Sequence, residues 1–258
     1  MSRSLLLLLA LSALPGCSER HGVPLIPEAE AGGFPWARRP FSAGDMASGG
    51  ASLSIKQTPV AFDCSGPGTS CDITFGSALT AHSAVSLLVR SETLSTAASD
   101  TSSNSYVHHV NWAGGGQYLD SWDACDVASG SPTITITKTA AYTAFGGVAY
   151  EIGGAASSGC VETSNTYTVG GYTQDRYTGS VTCAGACVTL GWLIDANSGL
   201  DNATYGLTPD AGYTRRAYIT SWLNLGSMDK VQTAGTYNPH GLTGSAYSAN
   251  AGATIAIK

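Results

Sequence analysis

Hydrophobic and polar residues alternate over short runs after residue 51, and turn residues separate these runs. The clearest run is Thr133–Thr139, in which Ile134 and Ile136 alternate with threonines. A period of two predicts a half-buried β-strand, and Ala84–Ser91 shows the same period. No window longer than ten residues beyond the N-terminal leader combines helical periodicity with capping residues. The pattern therefore predicts an all-β protein.

Many short, evenly spaced strands are typical of a sandwich or a barrel. We predict one antiparallel β-sandwich domain over residues 51–258, jelly-roll-like in topology, with an immunoglobulin-like topology as the alternative. The sequence shows no internal repeat of fixed period.

The first 50 residues predict export. Arg3 precedes the apolar run Leu5–Leu14, which is about half of the roughly 20 residues that span a bilayer. The run ends in Leu14-Pro15-Gly16-Cys17, which resembles a bacterial lipobox. We therefore predict a signal peptide over residues 1–17 with lipidation at Cys17, and a flexible Pro/Gly-rich tether over residues 18–50. The protein would be a membrane-anchored lipoprotein at the outer membrane or cell surface; an ordinary cleaved signal peptide and secretion are the alternative.

The cysteine count agrees with lipidation, because seven is odd and Cys17 leaves six. Six cysteines can form three disulfides in an oxidising compartment, and their spacing does not suggest zinc. Proximity along the chain, with elimination for the last pair, predicts three disulfides: Cys64–Cys71, Cys183–Cys187 and Cys125–Cys160. The four-residue spacing of the second pair requires a tight turn at Gly185, because extended chain would hold the two Cα atoms too far apart.

Several stretches together resemble a family of uncharacterised exported bacterial β-sandwich domains. One is Asp100–Tyr106, similar to a hairpin of pattern Asp-Ser-x-Gly-Asn-x-Tyr, with Ser103 at the place of the glycine. The others are Ile73–Ser77, Ala84–Val89, Val127–Gly130, Val148–Gly153 and Ala211–Ala217. The resemblance covers about residues 51–258. It implies a jelly-roll or immunoglobulin-like sandwich and an exported protein, and it carries no activity.

The net charge of the chain limits the kinds of partner that it can bind. The net charge is −6, and only 12 % of residues are charged. Without a basic stripe to neutralise phosphates, nucleic-acid binding is not expected. Membrane contact is expected only through the N-terminal lipid.

The sequence offers little for catalysis. His108 and His109 are neighbours on a predicted strand, so their side chains should diverge and cannot chelate one metal ion together. No serine-nucleophile elbow and no nucleotide-binding loop occurs. Glu151 with an aspartate is the remaining acid–base candidate. We assign no catalytic residue, and a non-enzymatic protein is favoured.

Aromatic residues suggest a binding surface. Trp112, Tyr118 and Trp122 flank a glycine-rich hairpin tip, and alternation places Tyr118, Asp120 and Trp122 on one strand face. Amphipathic rings around a carboxylate suit a sugar. We predict a ligand platform of Trp112, Tyr118, Asp120 and Trp122.

A second candidate site is a calcium loop. Asp195, Asn197 and Asp201 offer oxygen ligands at alternating positions, and Gly199 offers its carbonyl. An ordinary polar turn is the alternative, because such side chains also bond their own backbone.

These features leave three hypotheses for function. The first is a non-catalytic cell-surface or secreted module that binds glycan or another extracellular polymer. The second is a secreted polysaccharide hydrolase or lyase, and the third is a structural envelope or filament subunit. The sequence does not predict an oligomeric state.

Overall fold

The computed structural model describes residues 52–169, 173–195, 208–219, 225–247 and 250–258. All of the regular elements in these ranges are strands, which confirms the all-β prediction. Within the same ranges no helix is long and apolar enough to cross a membrane. The predicted leader and tether, Cys17 included, lie outside the described residues. In chain order the strands are β1 (Ser54–Ile55), β2 (Val60–Asp63), β3 (Ser70–Ile73), β4 (Ser83–Ser91), β5 (Ser95–Asp100), β6 (Val107–Gly114), β7 (Gln117–Val127), β8 (Ile134–Lys138), β9 (Phe145–Gly153), β10 (Val161–Val169), β11 (Thr173–Tyr177), β12 (Val181–Cys183), β13 (Cys187–Asp195), β14 (Thr208–Pro209), β15 (Thr214–Ile219), β16 (Leu225–Gln232), β17 (Gly235–Tyr237), β18 (His240–Tyr247) and β19 (Asn250–Ile257).

The first half of the described chain forms two antiparallel sheets. An inner sheet has the order β2-β9-β4-β7-β6, with β1 pairing the same edge of β9 as β2. An outer sheet has the order β3-β8-β5. β2 and β9 lie side by side, and from β2 to β9 successive strands alternate between the two sheets except at the hairpin β6-β7, which follows the jelly-roll pattern. The prediction of an all-β antiparallel sandwich is thus confirmed.

The second half repeats this strand order. Its inner sheet is β10-β19-β13-β16-β15, and its outer strands pair as β12-β17 and β11-β18-β14. Each inner strand of the first half therefore has a counterpart, with β2, β4, β6, β7 and β9 matching β10, β13, β15, β16 and β19. The two halves of the predicted domain thus follow one jelly-roll strand order, although the sequence shows no repeat of fixed period.

Matching irregularities fix the alignment of the two halves. β6 has a bulge at His109, between the residues that pair with Trp122 and Ser121 of β7. β15 has a bulge at Arg216, between the residues that pair with Met228 and Ser227 of β16. Bulges re-aim the side chain that they carry.

The two bulge residues form the same kind of ion pair. His109 pairs with Asp123 and Arg216 pairs with Asp229, and both aspartates are buried. Each half thus has a basic residue on a bulge that is bound by a buried aspartate. In both halves a serine, Ser121 or Ser227, stands two positions before that aspartate.

The two inner sheets pack face to face. Residues of both sheets share one apolar core, in which Leu88, Val148 and Tyr150 of the first half meet Leu190, Trp192 and Ile255 of the second. β6 lies against β10, and β15 lies against β2. These two contacts are equivalent by the strand matching, so the halves are related by an approximate two-fold axis.

The first inner sheet is buried on both faces. A second core joins its other face to the outer sheet, and all residues of β4 and β9 are buried as a result. The strongest sequence pattern lies here: Thr133–Thr139 forms β8, with Ile134 and Ile136 in this second core. Burial on two faces explains the nearly continuous apolar runs of β4 and β9.

The three predicted cysteine pairs are the pairs that the structure joins. The Cα–Cα distances are 5.5 Å for Cys64–Cys71, 5.7 Å for Cys125–Cys160 and 6.0 Å for Cys183–Cys187. The last distance requires the chain to bend around residue 185, as predicted. The Cys125–Cys160 bond ties β7 to the segment that leads into the second half.

Candidate functional site

Two residues of the predicted platform, Asp120 and Trp122, are buried, which corrects the sequence interpretation for these two. Tyr118, Asp120 and Trp122 do share a face, but Trp122 on that face lies in the core between the first inner and outer sheets, and Tyr118 is half-buried. Trp122 belongs to this core, and its Nε1 donates to Ser95 Oγ at 2.9 Å. Alternation gives the shared face correctly, but it does not say whether a second sheet covers that face.

Trp112 faces the other way and packs against the core between the two halves. Its Nε1 donates to Thr168 Oγ1 of β10 at 3.1 Å. The glycine hairpin next to it matches the prediction, since Gly115 and Gly116 have φ values of 60° and 76°. A side chain at either glycine would be strained in this left-handed region. The ring therefore helps to join the two halves.

Each of the two adjacent histidines is paired with a different buried aspartate. His108 Nε2 lies 3.0 Å from Asp120 Oδ1, and its ring stacks on Trp122 with 4.3 Å between the centroids. His109 Nδ1 lies 3.0 Å from Asp123 Oδ2. The imidazoles thus bind different groups, as their adjacency on a strand predicts.

Comparison of the two halves shows which buried aspartates of β7 recur on β16 and which do not. The pairing of His109 with Asp123 recurs as Arg216 with Asp229, so the fold uses this ion pair in both halves. At the position of Asp120 the second half has Gly226, by the register of β16. The fold therefore does not need a buried carboxylate at position 120.

The Asp120 cluster is nevertheless closed to nucleophilic chemistry. Ser95 Oγ donates to Asp120 Oδ2 at 2.6 Å and accepts a bond from Trp122. In a hydrolytic triad the histidine stands between the serine and the carboxylate, whereas here the carboxylate stands between Ser95 and His108. The serine cannot be activated by this histidine.

The second half exposes aromatic rings where the first half buries one. Phe62 pairs with Gly147 on β9, and its ring fills the space beside that glycine. The counterpart is Tyr167, which pairs with Gly252 on β19. Tyr167 is 42 % exposed, whereas Phe62 is 7 % exposed.

A close backbone approach explains the difference. A Cβ atom on Gly252 would lie 2.4 Å from the Tyr177 carbonyl oxygen and 2.7 Å from Thr178 Cα. The outer strands therefore rest on the inner sheet at this point, and no room remains for a ring between the layers. Tyr167 consequently lies outside, edge-on to Tyr177 with 5.7 Å between ring centroids.

Polar groups adjoin these rings. The Tyr177 ring stacks on His240, with 5.0 Å between centroids. His240 Nδ1 lies 2.8 Å from Asp175 Oδ1, and its Nε2 lies 3.2 Å from Asp210 Oδ2. We call the set Tyr167, Tyr177, Asp175, Asp210 and His240 the tyrosine surface.

The tyrosine surface is held rigidly by its own bonds. Tyr177 donates its hydroxyl proton to Asp175 Oδ2 at 3.0 Å, and this bond raises the pKa of Tyr177 above its ordinary value. The Asp210 amide also donates to the His240 carbonyl oxygen at 2.9 Å, which ties the turn after β14 to β18. Tyr177, His240 and the two carboxylates are thus joined to one another before any ligand arrives, and Tyr167 adjoins them through its ring contact with Tyr177.

This geometry suits binding better than acid–base catalysis. A glycosidase needs two carboxylates that reach opposite sides of a bond in the substrate. Asp175 and Asp210 instead reach the two nitrogens of the same imidazole. Among the described residues no group of three or more His, Cys, Asp or Glu is arranged around a common metal position.

Glu151, the other acid–base candidate, is buried and fully engaged. Its Oε1 accepts from the Thr80 amide at 2.6 Å and from Ser83 Oγ at 3.1 Å, and its Oε2 accepts from Gln57 Nε2 at 2.5 Å. It holds chain segments together instead of facing a substrate.

The predicted calcium loop falls outside the described residues. Asn197, Gly199 and Asp201 are not described, and Asp195 is described only through its backbone at the end of β13. The loop stays a prediction.

Sequence reasoning missed the tyrosine surface. Tyr167, Tyr177 and His240 lie on three strands and are distant in sequence. The sequence contains one signal for it, the glycine at 252 in an otherwise apolar strand, which marks a close backbone approach.

Fold and site together define a disulfide-bonded, all-β protein whose two halves share one strand order, with the tyrosine surface on the second half. Comparison with protein-family models, with curated proteins and with solved structures finds no match for this chain.

Proposed function

We propose that this protein is a non-catalytic, exported module that binds an extracellular glycan through the tyrosine surface. The observation that carries the proposal is Tyr167, an exposed ring whose counterpart in the first jelly roll is the buried Phe62. The ring of Tyr167 is therefore accessible to a ligand, whereas the ring at the matching position of the first half is enclosed. The leader, the lipobox and the resemblance to exported sandwich domains agree with an extracellular location.

The chemistry of the tyrosine surface fits a sugar. A sugar ring has an apolar face of C–H groups and a rim of hydroxyls, and a tyrosine offers an apolar face with a polar edge. Asp210 is 44 % exposed at its side chain and can accept from such hydroxyls. Because Tyr177, His240 and the two carboxylates are already held by bonds among themselves, binding has few of these side chains left to order.

The hydrolase hypothesis has less support. Its carboxylate candidates are each engaged: Asp175 and Asp210 bind His240, and Glu151 is enclosed. We therefore expect a bound glycan to be left intact.

The test begins with a glycan array probed with the purified protein, followed by calorimetry on the glycans that bind. Tyr167→Ala removes the exposed ring and should weaken binding by roughly tenfold or more, which corresponds to about 1.4 kcal/mol. Tyr142→Ala is the matched control, since Tyr142 is 80 % exposed on a loop of the first half.

Three results would contradict the proposal: no glycan bound on the array, equal loss of affinity in the Tyr167 and Tyr142 variants, or hydrolysis of the bound glycan. Thermal unfolding of both variants should match that of the unmodified protein, because neither ring is in a core. Asp210→Asn offers a second probe of the same surface and should also weaken binding.

A further inference from the structure

The tyrosine surface places two carboxylates against a single imidazole. His240 Nδ1 lies 2.8 Å from Asp175 Oδ1, and His240 Nε2 lies 3.2 Å from Asp210 Oδ2. The exposed fractions of the three side chains lie between 31 % and 44 %, so a ligand in solution can reach all three. This arrangement sets the charge that the surface presents to a glycan.

One imidazole cannot neutralise both carboxylates. A neutral imidazole has one N–H group and one lone pair, so it donates to one aspartate and turns its lone pair toward the other. An imidazolium donates to both aspartates, but it brings one positive charge to two negative ones. A negative charge is therefore left on this group of side chains in either protonation state.

Asp210 is the more accessible of the two carboxylates. Asp175 is closer to His240 and also accepts a hydrogen bond from the Tyr177 hydroxyl. Asp210 Oδ1 accepts from the Ala211 amide at 2.7 Å, and this neutral donor leaves the charge of the carboxylate in place. Because 44 % of its side chain is exposed, Asp210 can pair with a cation that arrives from solution.

Lys230 lies close to this turn but does not pair with Asp210. Its Nζ donates to the Ala211 carbonyl oxygen at 3.2 Å and lies 5.3 Å from the centroid of the Tyr213 ring. Among the described residues no lysine or arginine forms an ion pair with Asp210. Lys230 thus weakens the negative potential near the turn without occupying an oxygen of the carboxylate.

The two tyrosine rings also favour a cation. Tyr167 is 42 % exposed, and its ring lies edge-on to Tyr177 with 5.7 Å between the centroids. The face of an aromatic ring is negative, and it attracts a cation within about 6 Å. The hydrogen bond to Asp175 and the charges of Asp175 and Asp210 together raise the pKa of Tyr177, as expected for a phenol beside negative groups.

We propose that the glycan bound by the tyrosine surface carries free amino groups, as a polymer of non-acetylated glucosamine does. An ammonium group of the glycan pairs with Asp210, and the apolar face of a sugar ring lies against Tyr167. The net charge of −6 adds a long-range attraction to a cationic polymer. This inference rests on the proposed function, because it names the class of glycan that the same surface binds.

The test titrates short glucosamine oligomers into the purified protein by calorimetry, with N-acetylglucosamine oligomers of the same length as the matched neutral ligands. A mildly acidic buffer keeps the amino groups protonated and the aspartates ionised. The amino oligomers should bind about tenfold more tightly than the acetylated ones, since they add a charge-assisted bond. The difference should shrink as salt is added, because ions screen an exposed pair.

Asp210→Asn keeps the shape of the side chain and removes its charge. It should weaken binding of the amino oligomers by about tenfold and binding of the acetylated oligomers by less. Asp72→Asn is the matched control for net charge, because Asp72 is exposed on β3 of the first half, and it should leave both affinities unchanged. Tyr167→Ala should weaken binding of both ligands. Melting temperatures check that each variant is folded, and the comparison of the two ligands on the unmodified protein needs no variant.

Equal affinity for the two kinds of oligomer would overturn the inference, as would equal effects of Asp210→Asn and Asp72→Asn. A lysine peptide of the same charge that binds as tightly as the amino oligomer would also overturn it, since the surface would then recognise charge without a sugar. If only neutral glycans bind, and Tyr167→Ala weakens them, this inference fails and the proposed function stands. If no glycan binds, both fail.

Discussion

Asp123 gives the sharpest test of the two-fold relationship. Its carboxylate is 1 % exposed, accepts from Ser86 Oγ at 2.5 Å and from Ser121 Oγ at 2.9 Å, and pairs with His109. Asp123→Asn keeps the shape of the side chain but removes the charge and one acceptor oxygen. The expected result is a loss of stability with little change in the fold.

The expected size of the loss follows from the bonds. Breaking a buried pair by removing one partner costs about 3–5 kcal/mol. His109 keeps 29 % of its side chain exposed, so water can solvate it after the change and the cost falls toward the lower end. We expect Asp123→Asn to lower the free energy of unfolding by about 3 kcal/mol.

The matched variant is His109→Arg, which installs the pair that the second half uses at Arg216 and Asp229. Arginine is always positively charged and can bond a carboxylate through two N–H groups. We expect His109→Arg to change the free energy of unfolding by less than about 1 kcal/mol.

Urea unfolding followed by tryptophan fluorescence measures both variants under one buffer condition, with the slope of the transition checked for constancy. Two results would refute the reasoning. One is a cost below about 1 kcal/mol for Asp123→Asn. The other is a His109→Arg variant as unstable as Asp123→Asn, which would mean that the two bulges are not equivalent.

Three further predictions concern stability. Burial raises the pKa of Tyr150 well above its ordinary value, so its phenol stays protonated in the folded state. The free energy of unfolding should therefore fall as pH rises above about 10, where the phenol ionises in the unfolded chain. Tyr150→Phe should reduce that fall in urea titrations at alkaline pH, and an unchanged dependence of the free energy on pH would contradict the prediction. Ser103 has φ 61°, so Ser103→Gly should raise the free energy of unfolding by roughly 0.5–1 kcal/mol, and a lower melting temperature would show that the strain is absent. The Cys125–Cys160 bond closes a separation of 35 residues, so replacing both by alanine should cost about 4 kcal/mol by chain entropy; a cost under about 1 kcal/mol in reversible unfolding would contradict this.

Local chemistry was readable from the sequence because it depends on neighbours along the chain. The alternation of Thr133–Thr139 sets which residues of β8 face inward, and the short spacings of two cysteine pairs set which partner is near. The divergence of His108 and His109 likewise follows from their adjacency on a strand. The all-β class was within reach for the same reason, whereas the sheet topology depends on strands that are far apart in sequence.

Which faces meet, and which stay open, was decided only by the packing of sheets. Trp122 and Tyr167 are both aromatic residues on alternating strands, yet one is in a core and the other is exposed. The second outer layer rests directly on Gly252, which leaves no space for a ring, whereas the first outer sheet stands away and encloses Trp122. The duplication was hidden for a related reason: two jelly rolls need the same strand order and burial pattern, and many different side chains satisfy both.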